Sequence, residues 1–389
     1  MRVLYLAHRV PYAPNRGDRI RAHHTLKHLK AAGVDVHLVA LAQDASELGH
    51  EDALAGLVSG FDVVQVPRLR NLARAALALP GRQPLTHVLL DSPALKALLA
   101  RRRDAFRPDV VLAFCSGMAR FALEPPLEPL PYVLDMVDVD SCKWEALAAE
   151  GRGLRRAVYA REARLLRGFE VRASHAARAT LVVSDREREA MRALDPSLNP
   201  IVVGNGVDVA AFRPPLDAAP QPGAEVIFTG VLGYQPNHDA MMWLLDKVWP
   251  SVQHARPDAR LIIVGSGPGA SLRALAARRG ATVTGSVPDV RPHLWRARVA
   301  VAPIHTARGV QNKVLEAVAA GLRVVVTPAV HEGLPLIARG ACRVAATPAE
   351  FSAAILELLD RAPTAHELQG WSALSWSAQL EPLIGLLGA

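Results

Sequence analysis

The segment ARGVQNKVLEA at residues 307–317 gathers more chemically useful residues than any other short stretch of the chain. Gly309 permits a tight turn and a close approach. If that turn opens a helix, the amides of Val310, Gln311 and Asn312 point outward from its N-terminus, where unsatisfied N–H groups and partial positive charge bind phosphate. Lys313, one turn in, adds a full positive charge, and Glu316 adds a carboxylate. The same spacing also describes a surface helix with a weak Lys–Glu pair three residues apart.

Three other constellations carry polar chemistry. GSGP (265–268) places Gly265 and Gly267 between a strand and a helix, which suits close backbone approach to a nucleotide. As a dinucleotide fingerprint it is poor, because it sits second in its domain and no acidic residue ends a strand about 20 residues later. A tight strand–helix turn explains each glycine equally well. Asn15, Arg16, Gly17 and Asp18 form a loop after the first strand, where Asp18 also fits as a helix cap. Asp135, Asp138 and Asp140 follow the fifth strand as three clustered carboxylates, suited either to hydroxyl recognition and base chemistry or to capping a turn. After the fourth strand the chain reads Cys115-Ser116-Gly117, so no imidazole is assigned to catalysis there. Glu162 and Glu170 lie among arginines on a helix and read as partners of those arginines.

The elements that must position these groups alternate strand and helix. VLYLA (3–7), VDVHLVAL (34–41), DVVQV (62–66), DVVLAF (109–114), YVLDMV (132–137) and TLVVS (180–184) read as strands of a first half. A helix opens near Asp18 and closes at Gly33, and residues 141–173 read as an Arg-rich helical pair broken at 151–153. Residues 205–223, rich in proline, mark a boundary. EVIFTG (225–230), RLIIVG (260–265), ATVTG (281–285), VAVAP (299–303) and RVVVTP (323–328) then repeat the pattern. Continuous apolar strands imply parallel sheets covered on both faces, and two such Rossmann-like halves make a cleft that ligands use. The last segment reads as an amphipathic helix that crosses back to the first domain.

Composition agrees. The 389 residues suit two domains, and 50% hydrophobic residues supply large cores. Cys115, Cys142 and Cys342 are far apart with no metal spacing, which speaks for a reducing, cytoplasmic setting without disulfides or zinc. No stretch reaches the length of a membrane span or a signal peptide. The net charge of +8 is concentrated in N-terminal arginine clusters (68, 70 and 74; 101–103; 152, 155 and 156; 161, 164 and 167). These are either solvated helix faces or a surface drawn to anionic lipid or a pyrophosphate-bearing acceptor. The clusters lack the interleaved aromatics of a nucleic-acid binder, so no nucleic-acid partner is expected.

FTGVLGYQPNHDAMMWLLDKVWP (228–250), IIVGSGP (262–268), VTGSVPDVRPHL (283–294) and VAPIHTARGVQNKVLEAVAAGLRVVVTP (301–328) make the second half similar to the C-terminal domain of the retaining GT-B glycosyltransferases of family 4, the glycosyl transferases group 1. The opening AHRVPYAPNRGDRIRAHHTLKHLKAAGVDVHLVAL and VLDMVDVDSCKWEALA (133–148) resemble one branch of it, the sugar transferases associated with PEP-CTERM/exosortase exopolysaccharide loci. The resemblance implies two Rossmann-like domains facing a central cleft: an acceptor-binding domain over 1–204, a linker over 205–223, a nucleotide-sugar-binding domain over 224–371, and a C-terminal helix over 372–389.

It also implies roles. Gly230, Asn237, Gly265, Gly267, Val287, Gly309, Val310, Gln311 and Asn312 border the donor, Lys313 faces its diphosphate, and Glu316 matches the glutamate that binds the ribose hydroxyls. Gly17, Asp18 and Asp138 belong to the acceptor and diphosphate loops. The sequence departs from the family at two places. Arg308 stands where the first glutamate of the pair belongs, eight residues before Glu316. Val231 and then Pro236-Asn237-His238 replace an arginine and a lysine that relatives direct at the diphosphate, which shifts the anion load to Lys313, Arg308 and backbone amides. The implied activity is metal-independent, retaining transfer from a nucleotide sugar to a lipid-linked or polysaccharide acceptor, with no cofactor, by a cytoplasmic protein that is peripheral on the membrane at most. A nucleotide-sugar epimerase of the same fold and a non-catalytic nucleotide-sugar binder are the rival readings, and an NAD-dependent oxidoreductase is a more distant one.

Overall fold

The computed structural model describes residues 1–12, 17–215, 223–307, 309–361 and 371–389, with the backbone alone at Asp18, Ser46 and Glu51. The chain divides into two compact units, Met1–Gly204 with Leu380–Ala389, and Asn205–Gln379. The division falls within the helix Trp376–Gly388. In the first unit, Arg178 Nη1 donates to Leu387 O at 2.9 Å.

The first unit is built on seven strands: β1 (Arg2–Ala7), β2 (Asp35–Ala42), β3 (Gly60–Gln65), β4 (Val110–Phe114), β5 (Tyr132–Val137), β6 (Ala179–Val182) and β7 (Ile201–Val202). They pair in the order β3-β2-β1-β4-β5-β6-β7, every neighbour parallel. The central strand sets the register, Val3 facing Val36 on one side and Val110 on the other. Val3, Leu4, Tyr5, Leu6 and Ala7 are wholly buried because helices cover both faces. Helices Gly17–Ala31, Pro93–Phe106 and Ser116–Leu123 supply much of that cover, and the break expected at 151–153 falls between the helices Asp140–Glu150 and Gly153–Ala176.

The second unit holds β8 (Glu225–Thr229), β9 (Arg260–Val264), β10 (Thr282–Gly285), β11 (Val299–Ala302), β12 (Arg323–Val326) and β13 (Cys342–Val344), ordered β10-β9-β8-β11-β12-β13 and again all parallel. Its core joins Val226, Phe228, Leu261 and Ile263 from the strands to Trp249 and Phe351 from the covering helices. Two short strands, β7 and β13, have no counterpart in the sequence reading. Both are edge strands of two or three residues, too brief for a periodic signal.

In both units the first strand is flanked by the second and the fourth, so consecutive connections leave it in opposite directions. That reversal opens a crevice at the C-terminal ends of the first and fourth strands. Ligand-binding groups are therefore to be sought after β1 and β4 in one unit, and after β8 and β11 in the other.

Candidate active site

In the second unit the ends of β8, β9 and β10 are tied together through glycines. Gly230 N donates to Val264 O at 3.0 Å, Gly265 N to Gly285 O at 3.1 Å, and Leu232 N to Ser266 O at 2.7 Å. Gly265 has φ 157°, and a Cβ there would stand 1.7 Å from Gly230 O, which no side chain can accept. The glycine at 265 is thus required by the protein's own backbone. Gly267 faces Gly233, and Val287 packs on the apolar core. Neither is brought against the lysine described next.

Gly230 is different. A Cβ at this residue would meet Lys313 Nζ at 2.8 Å and Asn237 Nδ2 at 3.0 Å. Lys313 Nζ donates to Asn237 Oδ1 at 2.6 Å and lies 4.4 Å from the Phe228 ring centroid, while Asn237 Nδ2 donates to Val231 O at 2.9 Å. Phe228 and Gly230 come from β8 and its end, Lys313 from the helix after β11, so this cluster occupies the crevice that the strand order opens. Lys313 is the second residue of the helix Asn312–Ala319, closer to its start than the one-turn spacing expected from sequence. Gln311 is the N-cap, and Val314 N donates to Gln311 O at 2.9 Å. The amides of Asn312 and Lys313 receive no acceptor among the described residues. Gly309, at φ 60°, makes the turn that precedes them. Arg308 lies outside the described residues.

Electrostatics single out two of these side chains. Burial strips water from the Lys313 ammonium and brings its pKa down to about 7, against a smaller upward pull from Glu316. Burial pushes the Glu316 carboxyl up to about 7, opposed by Lys313. The Glu316 carboxyl accepts no hydrogen bond among the described residues, while its backbone carbonyl accepts from Ala320 N at 2.9 Å. Two oppositely charged groups three residues apart on one helix, both with shifted pKa values and both in the crevice, are a frequent mark of a ligand site. Asn312 extends the pattern: its Oδ1 accepts from Asn205 Nδ2 at 3.0 Å, but its buried Nδ2 has no partner.

The first unit ends its strands differently. Gly17 opens its helix, and among the described residues nothing lies within 4 Å of where a Cβ would stand. Asn15 and Arg16, and the side chain of Asp18, lie outside the description. Asp135 corrects the sequence reading. It is a member of β5, buried, and held by Arg21 through Nε at 2.8 Å and Nη2 at 2.9 Å, with Arg21 Nη1 donating to Gly204 O at 3.1 Å. A carboxylate so clasped is structural.

Asp138 retains a candidate's features. The residue before it, Val137, has φ 67°, an unfavourable conformation for a β-branched residue, and the β5–β6 register shifts between Asp135 and Val137. Cys115, at the end of β4, is likewise left-handed at φ 71°. Asp138 Oδ1 is buried and unpartnered, and burial, aided by Glu187 and Asp140, pushes its pKa up to about 7. Asp140 accepts from Ser116 Oγ at 2.8 Å, Glu187 from Val139 N at 2.8 Å, and Glu170 from Ser141 N at 3.0 Å. Glu170 is therefore no arginine's partner. Glu162 is not chiefly one either: it accepts from Leu85 N and Thr86 N at 2.8 Å each, capping a helix on a distant segment, with Arg161 beside it at 3.6 Å.

The Arg21–Asp135 pair escaped the sequence reading, although a signal was there. Arg21 shares the inward helix face of Ala22, Thr25 and Leu29, and Asp135 is the one charge in an apolar strand. Opposite charges on two buried faces find each other. Among the described residues no group of His, Cys, Asp and Glu is arranged to hold a metal ion.

Comparisons with known proteins follow this division. Residues 17–211 match the model of Glycosyltransferase Family 4, and residues 223–361 match that of Glycosyl transferases group 1. A comparison with curated protein sequences finds no match. Among solved structures, sucrose-phosphate synthase from Thermosynechococcus elongatus is similar over 99% of this chain and 98% of its own, at 16% identity and a TM-score of 0.74. Anabaena HepE in complex with UDP and glucose is similar over 100% and 99%, at 14% identity and a TM-score of 0.67. TarM is similar over 100% and 99%, at 9% identity and a TM-score of 0.70. These likenesses show the fold, two Rossmann-like domains of the GT-B class. With one family model covering half of the chain and the second most of the remainder, the protein belongs to glycosyltransferase family 4.

Proposed function

We propose that the protein is a retaining glycosyltransferase that moves a sugar from a nucleotide donor to a lipid-linked or polysaccharide acceptor in exopolysaccharide synthesis. The observation that carries the donor side is Lys313, desolvated, hydrogen-bonded to Asn237 and packed over Phe228 beside the amides that open its helix. A diphosphate set there would restore the partner that burial has removed from the ammonium. Glu316, one turn on, with no hydrogen bond to its carboxyl among the described residues, would accept from two vicinal ribose hydroxyls. Gly230 leaves room beside the lysine. HepE is recorded with UDP and glucose, and UDP-sugars are the first donors to try.

The reaction we infer breaks the bond between the sugar's anomeric carbon and the β-phosphate oxygen. A bond from the acceptor oxygen forms on the same face, and the acceptor's proton passes to the departing phosphate. The protein supplies position and stabilisation of the leaving charge by Lys313 and the helix amides, without a nucleophile or metal of its own. Asp138, in the first unit, is assigned to the acceptor's hydroxyls.

Thermal-shift screening with UDP-, GDP-, dTDP- and ADP-sugars tests the donor assignment, since a bound ligand stabilises the fold by mass action. One of them should raise the melting temperature of the wild type and leave that of Lys313→Ala unmoved. Stabilisation by none of the four would sink the reading. Incubating the preferred sugar nucleotide without acceptor separates transfer from epimerisation, because an epimerase converts it unaided. The anomeric configuration of the product, read by NMR, decides retention.

A further inference from the structure

We propose that the first unit docks on an anionic lipid bilayer through the helix Arg68–Ala78 and the adjoining start of the helix Gly153–Ala176. The proposal stands apart from the transferase reading, because lipid binding and nucleotide binding are measured separately.

The helix Arg68–Ala78 is inverted in its exposure. Its inward face is Asn71 and Ala75, the amide of Asn71 donating to Leu89 O and Asp91 O. Its outward face is apolar: Leu69 is 86% exposed, Leu72 57% and Leu77 81%, with Ala73 and Ala76 between them. At about 100° per residue, Arg68 and Arg70 fall about 100° to either side of Leu69, flanking the apolar stripe on both edges. Leucine outward with arginine at the margins is the arrangement of a helix that lies in a membrane interface.

A second element extends the surface. Arg161 Nη2 donates to the carbonyls of Ala78, Gly81 and Gln83, fixing the helix Gly153–Ala176 to the segment that follows the first helix. Leu154, seven residues earlier on the same face, is 81% exposed, and Arg152, Arg155 and Arg156 around it are exposed as well. Arg68, Arg70, Arg82, Arg152 and Arg156 form no ion pair among the described residues. Arg74, Arg102, Arg103 and Arg167, which the sequence groups with them, are engaged by Asp91, Asp62, Asp104 and Glu145.

Charge selects the occupant. No carboxylate occurs between Val66 and Leu90 or between Gly151 and Arg161. Asp91, just beyond the first stretch, is neutralised by Arg74 at 2.7 Å and Arg120 at 3.3 Å, and the exposed Glu150 borders the second. A surface that joins solvent-facing leucines to unpaired arginines, with no acid among them, complements anionic headgroups above an acyl layer.

The test is co-sedimentation of the full chain with vesicles of phosphatidylglycerol and phosphatidylcholine, compared with phosphatidylcholine alone. The wild type should bind the anionic vesicles at least tenfold more tightly at low salt and lose that margin as salt rises. Leu69→Ser/Leu72→Ser/Leu77→Ser should weaken binding tenfold or more, and Arg68→Glu/Arg70→Glu should do the same. Leu336→Ser, at a residue 79% exposed on the second unit, should change nothing. All six positions are at the surface, so unchanged melting and unchanged sugar-nucleotide binding confirm intact folds. Leu72→Trp should show a blue-shifted emission on anionic vesicles, which reads insertion directly. A wild type that stays in the supernatant, or a triple leucine variant that sediments as the wild type does, overturns the proposal. So does a lipid-free dimer that the triple variant abolishes while vesicles remain unbound, since the face then covers a second copy.

Discussion

The two units share the strand order 3-2-1-4-5-6 at the heart of their sheets, and they furnish the crevice it opens with opposite chemistry. In the second unit the strand ends carry glycines, free amides and one half-buried lysine, with Glu316 as counter-charge. In the first unit the buried Arg21 is spent on Asp135, the buried Arg120 pairs with Asp91, and the turn at 138–141 collects Asp138, Asp140, Glu170 and Glu187. An anion is welcome in the second and repelled by the first, which suits hydroxyl groups instead. Topology settles where a ligand goes, and the side chains settle which kind.

The sharpest way to break this contrast is Lys313→Ala. It removes the cation the second crevice offers a leaving diphosphate, and turnover with the preferred sugar nucleotide should fall about 10³-fold, as when a preorganised stabilising donor is deleted. Steady-state kinetics at saturating acceptor measure it, and near-normal turnover would show the lysine to be a bystander. Arg21→Met attacks a cation of the first unit and should act on stability. It leaves Asp135 buried alone, at about 3–5 kcal/mol in denaturant unfolding, while Arg21→Met/Asp135→Leu should recover most of the loss. Equal unfolding midpoints for wild type and Arg21→Met would remove the distinction between a structural and a functional cation.

Much of the fold was legible in the sequence. Apolar strands such as VLYLA and RLIIV are continuous because helices cover both faces, and that pattern survives without any partner information. Lys313 and Gly230 stand out in the sequence through their motifs and Asn237 through a departure from the family pattern, and the structure brings the three together across 76 positions between the lysine and the asparagine. What stayed hidden depends on long-range pairing. Nothing local says that Glu162 caps amides at 85 and 86, or that Glu170 serves Ser141. Nor does local pattern reveal that the glycine of GSGP at 265 answers Gly230 O, since each partner is ordinary by itself.

A third test titrates the contrast. Lys313 has a pKa of about 7 in the free protein because burial disfavours its charge. A bound diphosphate would favour the charged form, so binding takes up a proton whenever the lysine starts neutral. Affinity for the sugar nucleotide should fall as pH rises above 7, approaching tenfold per unit, and calorimetry in buffers of different ionisation enthalpy should register uptake of up to about one proton at pH 8. Binding that is flat from pH 7 to 9 would place the diphosphate elsewhere.

Asp138 gives the smallest effect and the most direct reading of the first unit. Its folded pKa, about 7, lies above the value an exposed aspartate has, so the stability it lends is full at low pH and is lost as pH rises through 7. Asp138→Asn keeps the shape and discards the charge that Glu187 and Asp140 oppose. The variant should therefore match the wild type near pH 4 and exceed it in stability at pH 8, measured by denaturant unfolding at both values. Donor binding should not change, whereas the acceptor KM should rise, because an amide cannot replace a carboxylate that accepts from two hydroxyls. A variant less stable than the wild type at pH 8 would mean that the carboxylate is needed by the turn itself, and the acceptor's contact must then be sought at Asp140 or Gly17.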